Sequence, residues 1–407
     1  MADTGFSRRS LLRAALLAGA AGMAGACDDA AGVLSNKLSG RKPVWKHTFK
    51  TGDTGFVTPG STSNDLFPYS VTASGGMLYV SFEGKLYAFD TAGHQHWESP
   101  YGQYDASSQY GPTTPQVLDG VLYTVRNEPG GKGTLQALDP TTGRLVWSFS
   151  PGAWLTPPSA AGGRVVVCNM RYLYGLDAAT GRQLWRVGRG SDLFLGVPAI
   201  TGGTACAMDV DGILHGVTAK AGDLRWSQSD GPSLINGRFN QRSHTIGADG
   251  VFYVRDALLR AVSASDGKVR WTNDAVPDAQ NAAVSSGGLL YVSGHGEHPG
   301  AVAVDAATGG TRWQAPVPDP HGTLNASPAV AGGAVSLTVD GKLVNLDAAT
   351  GRPRWTAVIN NSNDGGVPLS GAAAANGLVA VLCKDEADVD DAGDKDGPVD
   401  HLYAYRL

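Results

Sequence analysis

The chain has 407 residues, of which 17% are charged, and its formal net charge is −5 at pH 7. This mildly acidic balance excludes proteins that bind nucleic acid through a basic surface. Its length would ordinarily allow two or three domains, but an internal repeat in this sequence predicts a single domain after residue 40.

The first 26 residues have the features of an export signal. The segment SRRSLLR contains Arg8 and Arg9 and resembles a twin-arginine signal. The apolar stretch that follows is too short and too rich in glycine to span a membrane well, and its end, AGAC, resembles a lipoprotein cleavage site. The sequence predicts a signal peptide over 1–26, lipidation of Cys27 and a flexible tether over 27–40. The protein would then lie at the extracytoplasmic face of the cell membrane, or be secreted if Cys27 carries no lipid.

One sequence unit recurs from residue 41 to the end of the chain. Two clear copies are LYGLDAATGRQLW at 173–185 and LVNLDAATGRPRW at 343–355. Seven copies are complete, and an eighth is divided between HLYAYRL at the C-terminus and KPVWKHTF near the start. The tryptophans that end the eight units are Trp45, Trp97, Trp147, Trp185, Trp226, Trp271, Trp313 and Trp355.

Each repeat carries the signals of four short strands. Successive tryptophans are 38 to 52 residues apart, which leaves room for four strands and their turns. A dipeptide such as Asp119-Gly120 precedes an apolar run in each copy and indicates a two-residue hairpin loop. The segment DAATGR is typical of a turn. Helical periodicity is absent beyond the N-terminus. The sequence therefore predicts an all-β fold, an eight-bladed β-propeller of four-stranded antiparallel blades over 41–407.

The divided eighth copy predicts how the ring closes. The N-terminal strand would be the outermost strand of a blade whose other three strands come from the C-terminus. Pro43 and Pro353 each lie two residues before a tryptophan, and strands tolerate proline mainly at a sheet edge. The tryptophan strand is therefore expected at the outer edge of each blade. There the eight indoles are expected to pack on neighbouring blades as structural residues and not as ligand sites.

The DAATGRxxW unit, preceded by a strand of the LYALD type, resembles the tryptophan-docking repeat of PQQ-like propellers. That superfamily includes quinoprotein alcohol dehydrogenases and BamB-type lipoproteins, and its usual ring has eight blades. The resemblance covers about 41–407 and implies this fold. It does not imply bound PQQ, because many members share only the architecture. The BamB-type members imply a scaffold role.

Cys168, Cys206 and Cys383 each fall in a predicted second strand of a different blade. An odd number of cysteines leaves at least one without a disulfide partner. Because the three positions are strand centres in separate blades, buried thiols are expected. The absence of a C-x-x-C motif argues against a redox pair or a covalently attached haem.

Two kinds of metal site are compatible with the sequence, and for each the same residues also have a simpler explanation as solvated side chains. An acidic segment offers oxygen ligands for Ca²⁺, although its spacing does not match an EF-hand and a solvated loop is the favoured explanation. Its candidate ligands are Asp388, Asp390, Asp391, Asp394 and Asp396. Histidines in two exposed segments could bind a metal or simply be solvated. They are His295 and His298 with Glu297, and His94 with His96.

The least repetitive segments are the connections that enter each innermost strand, and these gather at one mouth of the central channel. Mouths of closed β rings often bind ligands or partners. The predicted polar and aromatic binding set is Tyr101, Tyr104, Tyr110, Trp154, Arg238, Phe239, Asn240, Arg242 and His244. The same aromatic side chains could instead pack on the rim.

Three functions are compatible with these features. The first is a non-enzymatic, exported and tethered monomer that binds a cell-envelope protein or glycan, without nucleic acid and without a cofactor. The second is a PQQ-dependent dehydrogenase with Ca²⁺, although the sequence contains no adjacent cysteine pair. The third is a sensor or carbohydrate-binding module that uses the aromatic residues of the mouth.

Overall fold

The computed structural model describes the chain from residue 41 onward, with gaps. The predicted export signal, lipidation site and tether, all within residues 1–40, lie outside the described residues. The described ranges are 41–49, 70–82, 84–100, 114–128, 130–169, 171–188, 196–209, 211–229, 244–255, 258–275, 284–294, 299–318, 324, 326–359, 370–385 and 399–407.

Short β-strands make up the regular structure of these ranges, and the described residues contain no helix long and apolar enough to cross a membrane. The strands are β1 Trp45–Phe49, β2 Ser70–Ser74, β3 Met77–Phe82, β4 Lys85–Asp90, β5 Gln95–Pro100, β6 Gln116–Leu118, β7 Val121–Glu128, β8 Lys132–Leu138, β9 Leu145–Phe149, β10 Ser159–Ala161, β11 Arg164–Cys168, β12 Leu173–Asp177, β13 Gln183–Val187, β14 Ala199–Thr201, β15 Thr204–Met208, β16 Leu214–Thr218, β17 Leu224–Gln228, β18 His244–Ala248, β19 Val251–Arg255, β20 Leu259–Ser263, β21 Val269–Asn273, β22 Val284–Ser286, β23 Leu289–Gly294, β24 Gly300–Asp305, β25 Thr311–Pro316, β26 Ala329–Ala331, β27 Ala334–Val339, β28 Lys342–Asp347, β29 Pro353–Val358, β30 Ala373–Ala375, β31 Leu378–Asp385 and β32 Val399–Arg406.

The strands pair into eight four-stranded antiparallel sheets within the described ranges. We number them blade 1 (β2–β5) to blade 7 (β26–β29) in chain order, and blade 8 consists of β30, β31, β32 and β1. First strands of neighbouring blades contact one another, as β2 does with β6 and with β30. The first strands therefore surround the centre and the tryptophan strands form the outer edges. The predicted eight-bladed propeller is confirmed.

Ring closure also follows the prediction. β1 pairs antiparallel with β32 in a continuous register from Trp45 opposite Ala404 to Phe49 opposite Asp400. A side-chain hydrogen bond joins Thr48 Oγ1 and His401 Nδ1, which are 3.0 Å apart. The outermost strand of blade 8 thus comes from the opposite end of the chain to its three partners.

The loop between the first and second strands has one conformation throughout the ring. Both central residues of this loop have positive φ in every blade, including Asp119 at 48° and Asn376 at 48°. Positive φ at both positions defines a type I′ turn, whose twist matches that of the strands it joins. The dipeptides found in the sequence therefore mark true hairpin turns.

The hydrophobic core is divided into eight clusters in the described residues, and each cluster lies between two adjacent blades. Between blades 8 and 1, Phe49 of β1 stacks on Phe82, with ring centroids 4.4 Å apart, and contacts Phe89. Cys168, Cys206 and Cys383 are buried thiols in three of these clusters, as the sequence predicts. Each blade thus needs both neighbours to cover its faces.

The tryptophan of each outer strand reaches into the next blade at seven of the eight junctions. Its indole N–H donates to a backbone carbonyl in the turn between the third and fourth strands of that blade, at 2.9 to 3.1 Å. The ring lies on the glycine of the same turn, so that a Cβ on Gly351 would be 2.6 Å from Trp313 Cε3. The donor and acceptor pairs are Trp45 with Thr91, Trp97 with Pro140, Trp147 with Ala178, Trp185 with Ala219, Trp226 with Ala264, Trp271 with Ala306 and Trp313 with Ala348.

The eighth junction, from blade 7 to blade 8, is built differently. Blade 8 has no hairpin between its third and fourth strands, because β32 and β1 come from opposite ends of the chain. Trp355 Nε1 is buried and has no hydrogen-bond partner among the described residues. The Arg41 guanidinium instead lies 4.7 Å from the centroid of the Trp355 ring, and Arg41 Nη2 donates to the Arg406 carbonyl at 2.7 Å. At this junction a cation–π contact with Arg41 thus replaces the docking of the indole on a turn.

Two glycines with the same backbone angle test the contribution of tryptophan docking. Gly351 and Gly333 both have φ of +70°, but a Cβ on Gly333 would only meet Arg354 Nη2 at 3.7 Å. We expect Gly351→Ala to lower the free energy of unfolding by about 1–3 kcal/mol more than Gly333→Ala, because only the former crowds an indole. Denaturant unfolding of the two variants measures the difference, and equal losses would show that docking adds nothing beyond the cost of positive φ.

Candidate binding face

The two faces of the ring differ in their connections. Because the strands of each blade are antiparallel, the loop between strands one and two and the turn between strands three and four lie on one face, which we call the turn face. The turns after third strands there hold the docked tryptophans. The connection between strands two and three and the segment entering the next blade lie on the other face, which we call the loop face. The least repetitive segments of the sequence connect strands whose described ends lie on the loop face.

The predicted binding set divides between described and undescribed residues. Trp154 is described, and the backbone of His244 begins β18 opposite Arg255. The remaining members of the binding set, the five aspartates of the acidic segment and the His295, Glu297 and His298 group all lie outside the described residues. The undescribed members of the binding set are Tyr101, Tyr104, Tyr110, Arg238, Phe239, Asn240 and Arg242.

Trp154 lies against the β7–β8 hairpin of blade 2. Its indole Nε1 donates to the Glu128 carbonyl at 3.3 Å. The next residue is bonded to Asn127 twice: Leu155 N donates to Asn127 Oδ1 at 2.9 Å, and Asn127 Nδ2 donates to the Leu155 carbonyl at 3.0 Å. A Cβ on Gly133 would lie 2.4 Å from the Ala153 carbonyl oxygen. The half-buried Trp154 is thus a fixed part of the loop face, held by blade 2 while its chain segment leads to blade 3.

Blade 3 stabilises its second connection with an asparagine. Asn169 Oδ1 accepts hydrogen bonds from the backbone N–H groups of Arg171 and Tyr172 at 2.8 and 2.7 Å. Asn169 Nδ2 donates to Tyr174 Oη at 3.0 Å. The amide group therefore fixes both the turn and the adjacent tyrosine of β12.

Blade 4 contains a Ser–His–Asp contact series that the sequence analysis missed. His215 Nε2 lies 2.8 Å from Asp209 Oδ2, and His215 Nδ1 lies 2.9 Å from Ser227 Oγ. Asp209 and Ser227 lie six and twelve positions from His215, and this spacing is not a motif that the sequence would show. The one signal in the sequence is an aspartate at 209, where the preceding blade has Asn169.

The same comparison explains the role of the series. Asp209 follows the second strand of its blade as Asn169 does, and His215 is the second residue of the third strand, like Tyr174. Asp209 Oδ1 accepts from the backbone N–H groups of Asp211 and Ile213 at 2.9 and 2.8 Å. Although burial acts to raise it, hydrogen bonds from His215 and Ile213 lower the pKa of Asp209 from its usual value. Asp209 therefore stabilises this turn as Asn169 does in blade 3, but with a charged carboxylate, and we call this arrangement the Asp209 brace. Ser227, the third residue of the series, is exposed on the outer strand.

Blade 5 brings two buried arginines to the loop face. Arg255 ends β19 and Arg260 follows the start of β20, and their exposed fractions are 3% and 5%. Burial lowers the pKa of Arg260 to about 10, so this guanidinium stays protonated at neutral pH. Blade 5 therefore places two buried guanidinium groups at its loop-face end, next to the start of β18.

His94 and His96, one of the predicted histidine pairs, lie on the turn face. Both imidazoles contact one carboxylate oxygen, Asp90 Oδ2, at 3.0 and 3.1 Å. Burial opposes the shift, but the hydrogen bonds from His94 and His96 hold the pKa of Asp90 well below its usual range. No group of three or more His, Cys, Asp or Glu side chains in the described residues is arranged to hold a metal ion. The pair is an exposed imidazole–carboxylate contact.

The described residues of the loop face can also be compared with those that would be required to bind PQQ and Ca²⁺. The quinone is a tricarboxylate, and Arg255 and Arg260 are cations that suit carboxylates. The indole N–H of Trp154 is used in a hydrogen bond to the Glu128 carbonyl, and the described ranges supply no carboxylate cluster for Ca²⁺. The described residues therefore do not assemble a quinone–calcium site.

A closed ring of eight four-stranded blades joined by docked tryptophans defines a propeller of the PQQ-like class. Within that class the chain belongs to the family described as outer membrane protein assembly factor BamB, whose model matches residues 33–150, 83–234 and 233–389.

Sequence relatives come from several kinds of protein. The chain is 31% identical over 233 residues to the outer membrane protein assembly factor BamB of Burkholderia pseudomallei, a match that covers 52% of this chain and 58% of that protein. It is 30% identical over 163 residues to the serine/threonine-protein kinase AfsK of Streptomyces coelicolor, covering 39% of this chain and 18% of the kinase. A quinone alcohol dehydrogenase subunit of Gluconacetobacter polyoxogenes is 28% identical over 227 residues, covering 52% of this chain and 26% of the subunit. The matches thus span little more than half of the BamB relative and much less of the other two.

Solved structures share the fold at low identity. BamB from Moraxella catarrhalis superposes with a TM-score of 0.57 at 16% identity, covering 89% of this chain and all of that one. A europium-containing methanol dehydrogenase superposes with a TM-score of 0.59 at 14% identity, covering 91% and 94%. These likenesses show the propeller architecture alone.

The Asp209 brace gives a pH-dependent prediction. Its pKa is lower in the folded than in the unfolded protein, so its stabilising effect is complete above the unfolded value of about 3.9 and is lost as pH falls through the folded value. We expect Asp209→Asn to reduce the free energy of unfolding by about 1–2 kcal/mol at neutral pH and by progressively less below about pH 4.

Denaturant unfolding of both proteins from neutral to acidic pH tests this expectation. Asp211→Asn is the matched control, because its side chain is exposed two residues away. A difference between wild type and Asp209→Asn that does not change with pH would contradict the charged brace.

Proposed function

We propose that this protein is an exported, membrane-tethered scaffold that binds a protein of the cell envelope through its loop face. Membership of the BamB family carries the proposal, since the family match extends over most of the propeller. The Burkholderia relative is named as an assembly factor of outer membrane proteins. A protein partner is therefore the first expectation for this chain.

The arrangement of the ring supports the loop face as the binding surface. On the turn face, turns accept the indole N–H groups and support the rings, so their sequence is constrained by docking. The loop face lacks that constraint and presents the half-buried Trp154 on a fixed backbone, together with the exposed Arg171 of blade 3. Aromatic and arginine side chains on a rigid framework are the residues most often responsible for binding energy at protein interfaces.

The N-terminal sequence supports the proposed location. The Arg8–Arg9 pair suits twin-arginine export, and Cys27 suits attachment of a lipid after cleavage. Residues 28–40 would then separate the ring from the membrane. A protein held in this way would meet membrane and envelope proteins at high local concentration.

Crosslinking in native membranes followed by purification of the protein tests the scaffold function directly. We expect a specific envelope protein to be recovered, and Trp154→Ala to reduce its recovery by about fivefold or more, because an interface aromatic contributes about 1 kcal/mol or more. His94→Ala on the turn face is the control and should not change the recovery. If no protein is recovered in excess of the amount from an untagged strain, the proposal is contradicted. Equal recovery with Trp154→Ala would show that Trp154 is not part of the binding surface.

A second candidate is a quinoprotein dehydrogenase, which the Gluconacetobacter relative favours. The purified protein would be mixed with PQQ and Ca²⁺, and quinone absorbance and dye reduction with alcohols and sugars would be followed. Bound quinone with alcohol-dependent dye reduction would establish the activity, whereas the absence of both would dispose of it.

A further inference from the structure

The outer strands form the free edges of the ring, and their sequences differ in one respect that bears on binding. An exposed edge strand presents unpaired backbone groups to which another strand can add, and charged side chains and bulges normally prevent this. In blades 1 to 7 a β-bulge interrupts the register at the residue before the tryptophan. In four of these blades that residue is an arginine: Arg225, Arg270, Arg312 and Arg354.

Blade 2 departs from this pattern. Its outer strand, β9, reads LVWSF and carries no charged residue and no proline, whereas each of the other seven outer strands in the described ranges contains at least one charged residue. The bulge position is Val146. Leu145 and Val146 are 55% and 58% exposed, the highest values among the exposed large hydrophobic residues of the described part.

Aromatic contacts connect the end of β9 to blade 3. The ring centroids of Phe149 and Tyr174 are 5.3 Å apart, and those of Tyr174 and Tyr172 are 5.9 Å apart. The exposed Arg186 guanidinium lies 4.9 Å from the centroid of the Tyr172 ring. One end of β9 thus leads through aromatic side chains to a cation, and the exposed Arg144 immediately precedes the other end.

The charge of this region is opposite to that of the whole chain. Residues 114–188, which span blades 2 and 3, contain seven basic and four acidic side chains, a net charge of +3 in a protein whose total is −5. Asp139, the acidic residue nearest β9 in sequence, accepts hydrogen bonds from the backbone of Thr141 and Thr142. Glu128 is paired with Arg126. The cations at both ends of β9 thus favour a ligand with negative charge.

From the uncharged edge and its basic surroundings we infer that β9 is a docking site for an extended acidic segment of a partner protein, which adds to blade 2 as a fifth strand. Backbone hydrogen bonds to β9 would supply affinity, as in other cases of strand addition. Leu145 pairs with Leu138 of the blade 1–2 cluster and Phe149 pairs with Leu135 of the blade 2–3 cluster, so these two side chains lie on opposite faces of the sheet. Apolar residues in the middle of the segment would meet Leu145 on one face and Phe149 on the other, while carboxylates near its two ends reach Arg144 and Arg186. This inference rests on the scaffold function proposed above and adds a second surface to the loop face.

Val146→Arg is the variant that tests the site. It places at the bulge of blade 2 the residue found at the same position in four other blades, and Asp139 could receive the new guanidinium as Asp347 receives Arg354 at 2.7 Å. The blade should therefore fold normally, which a thermal melt will verify. The matched control is Leu184→Arg, at the bulge of blade 3, whose strand already carries Arg186.

The probe is a short capped synthetic peptide with valines in the middle and glutamates at both ends, with fluorescence anisotropy and amide hydrogen exchange as readouts. We expect saturable binding that protects the amides of β9, at least about tenfold weaker binding to Val146→Arg, and unchanged binding to Leu184→Arg. A peptide with lysine in place of glutamate, and a valine–glutamate peptide with alternate backbone amides N-methylated, should both fail to bind. The inference is overturned by an absence of saturable binding, by equal binding to Val146→Arg, or by equal binding of the lysine or N-methylated peptide.

Two further outcomes distinguish a wrong β9 site from a wrong scaffold function, and a partner segment from a second copy of this chain. If the envelope partner is recovered from membranes equally well with Val146→Arg, the β9 site is wrong while the scaffold function stands. If the protein alone sediments as a dimer that Val146→Arg dissociates, the occupant of β9 is a second copy and the inference of an acidic partner segment is overturned.

Discussion

The antiparallel pairing of β1 with β32 is the interaction on which the ring depends. Each hydrophobic cluster in the described residues lies between two blades, so a ring open at one position leaves apolar surface uncovered on both sides. Phe49 of β1 covers Phe82 and Phe89 of blade 1, and Trp45 docks on the Thr91 carbonyl. Loss of β1 would therefore expose blade 1 as well as shorten blade 8. A contact between distant ends of the chain thus holds local blades in a closed assembly.

The repeat explains why so much of the fold could be predicted from the sequence. Tryptophan docking fixes an indole, a turn glycine and a carbonyl at seven of the eight junctions, so these residue types recur at regular intervals and reveal blade number, strand order and the divided blade. The junction at Trp355 follows a different rule. Arg41 lies over that indole where no turn is present, and a single arginine outside the repeat gave no signal of this contact.

The candidate site was much less predictable, because function is expected where the repeat constrains the chain least. Trp154 could be placed on the loop face from its position in the chain, but its attachment to the β7–β8 hairpin depends on Asn127 and Gly133, which belong to another repeat unit. The contact of Asp209 with His215 and the exposure of Leu145 and Val146 on the uncharged β9 edge are properties of the folded blades, although comparing the repeats in sequence shows that these positions are unusual. Departures from the repeat therefore identify the surfaces that distinguish one blade of this chain from another.

A disulfide across the β1–β32 pair measures ring closure most directly. Thr48→Cys and His401→Cys would place thiols on residues that face each other in the register, whereas Lys46→Cys with His401→Cys are diagonal and too far apart to bond. The account predicts complete disulfide formation in the first pair only, with the oxidised protein about 2–4 kcal/mol more stable than its reduced form. Failure of the first pair to oxidise, or identical unfolding before and after oxidation, would contradict closure of the ring at this strand pair.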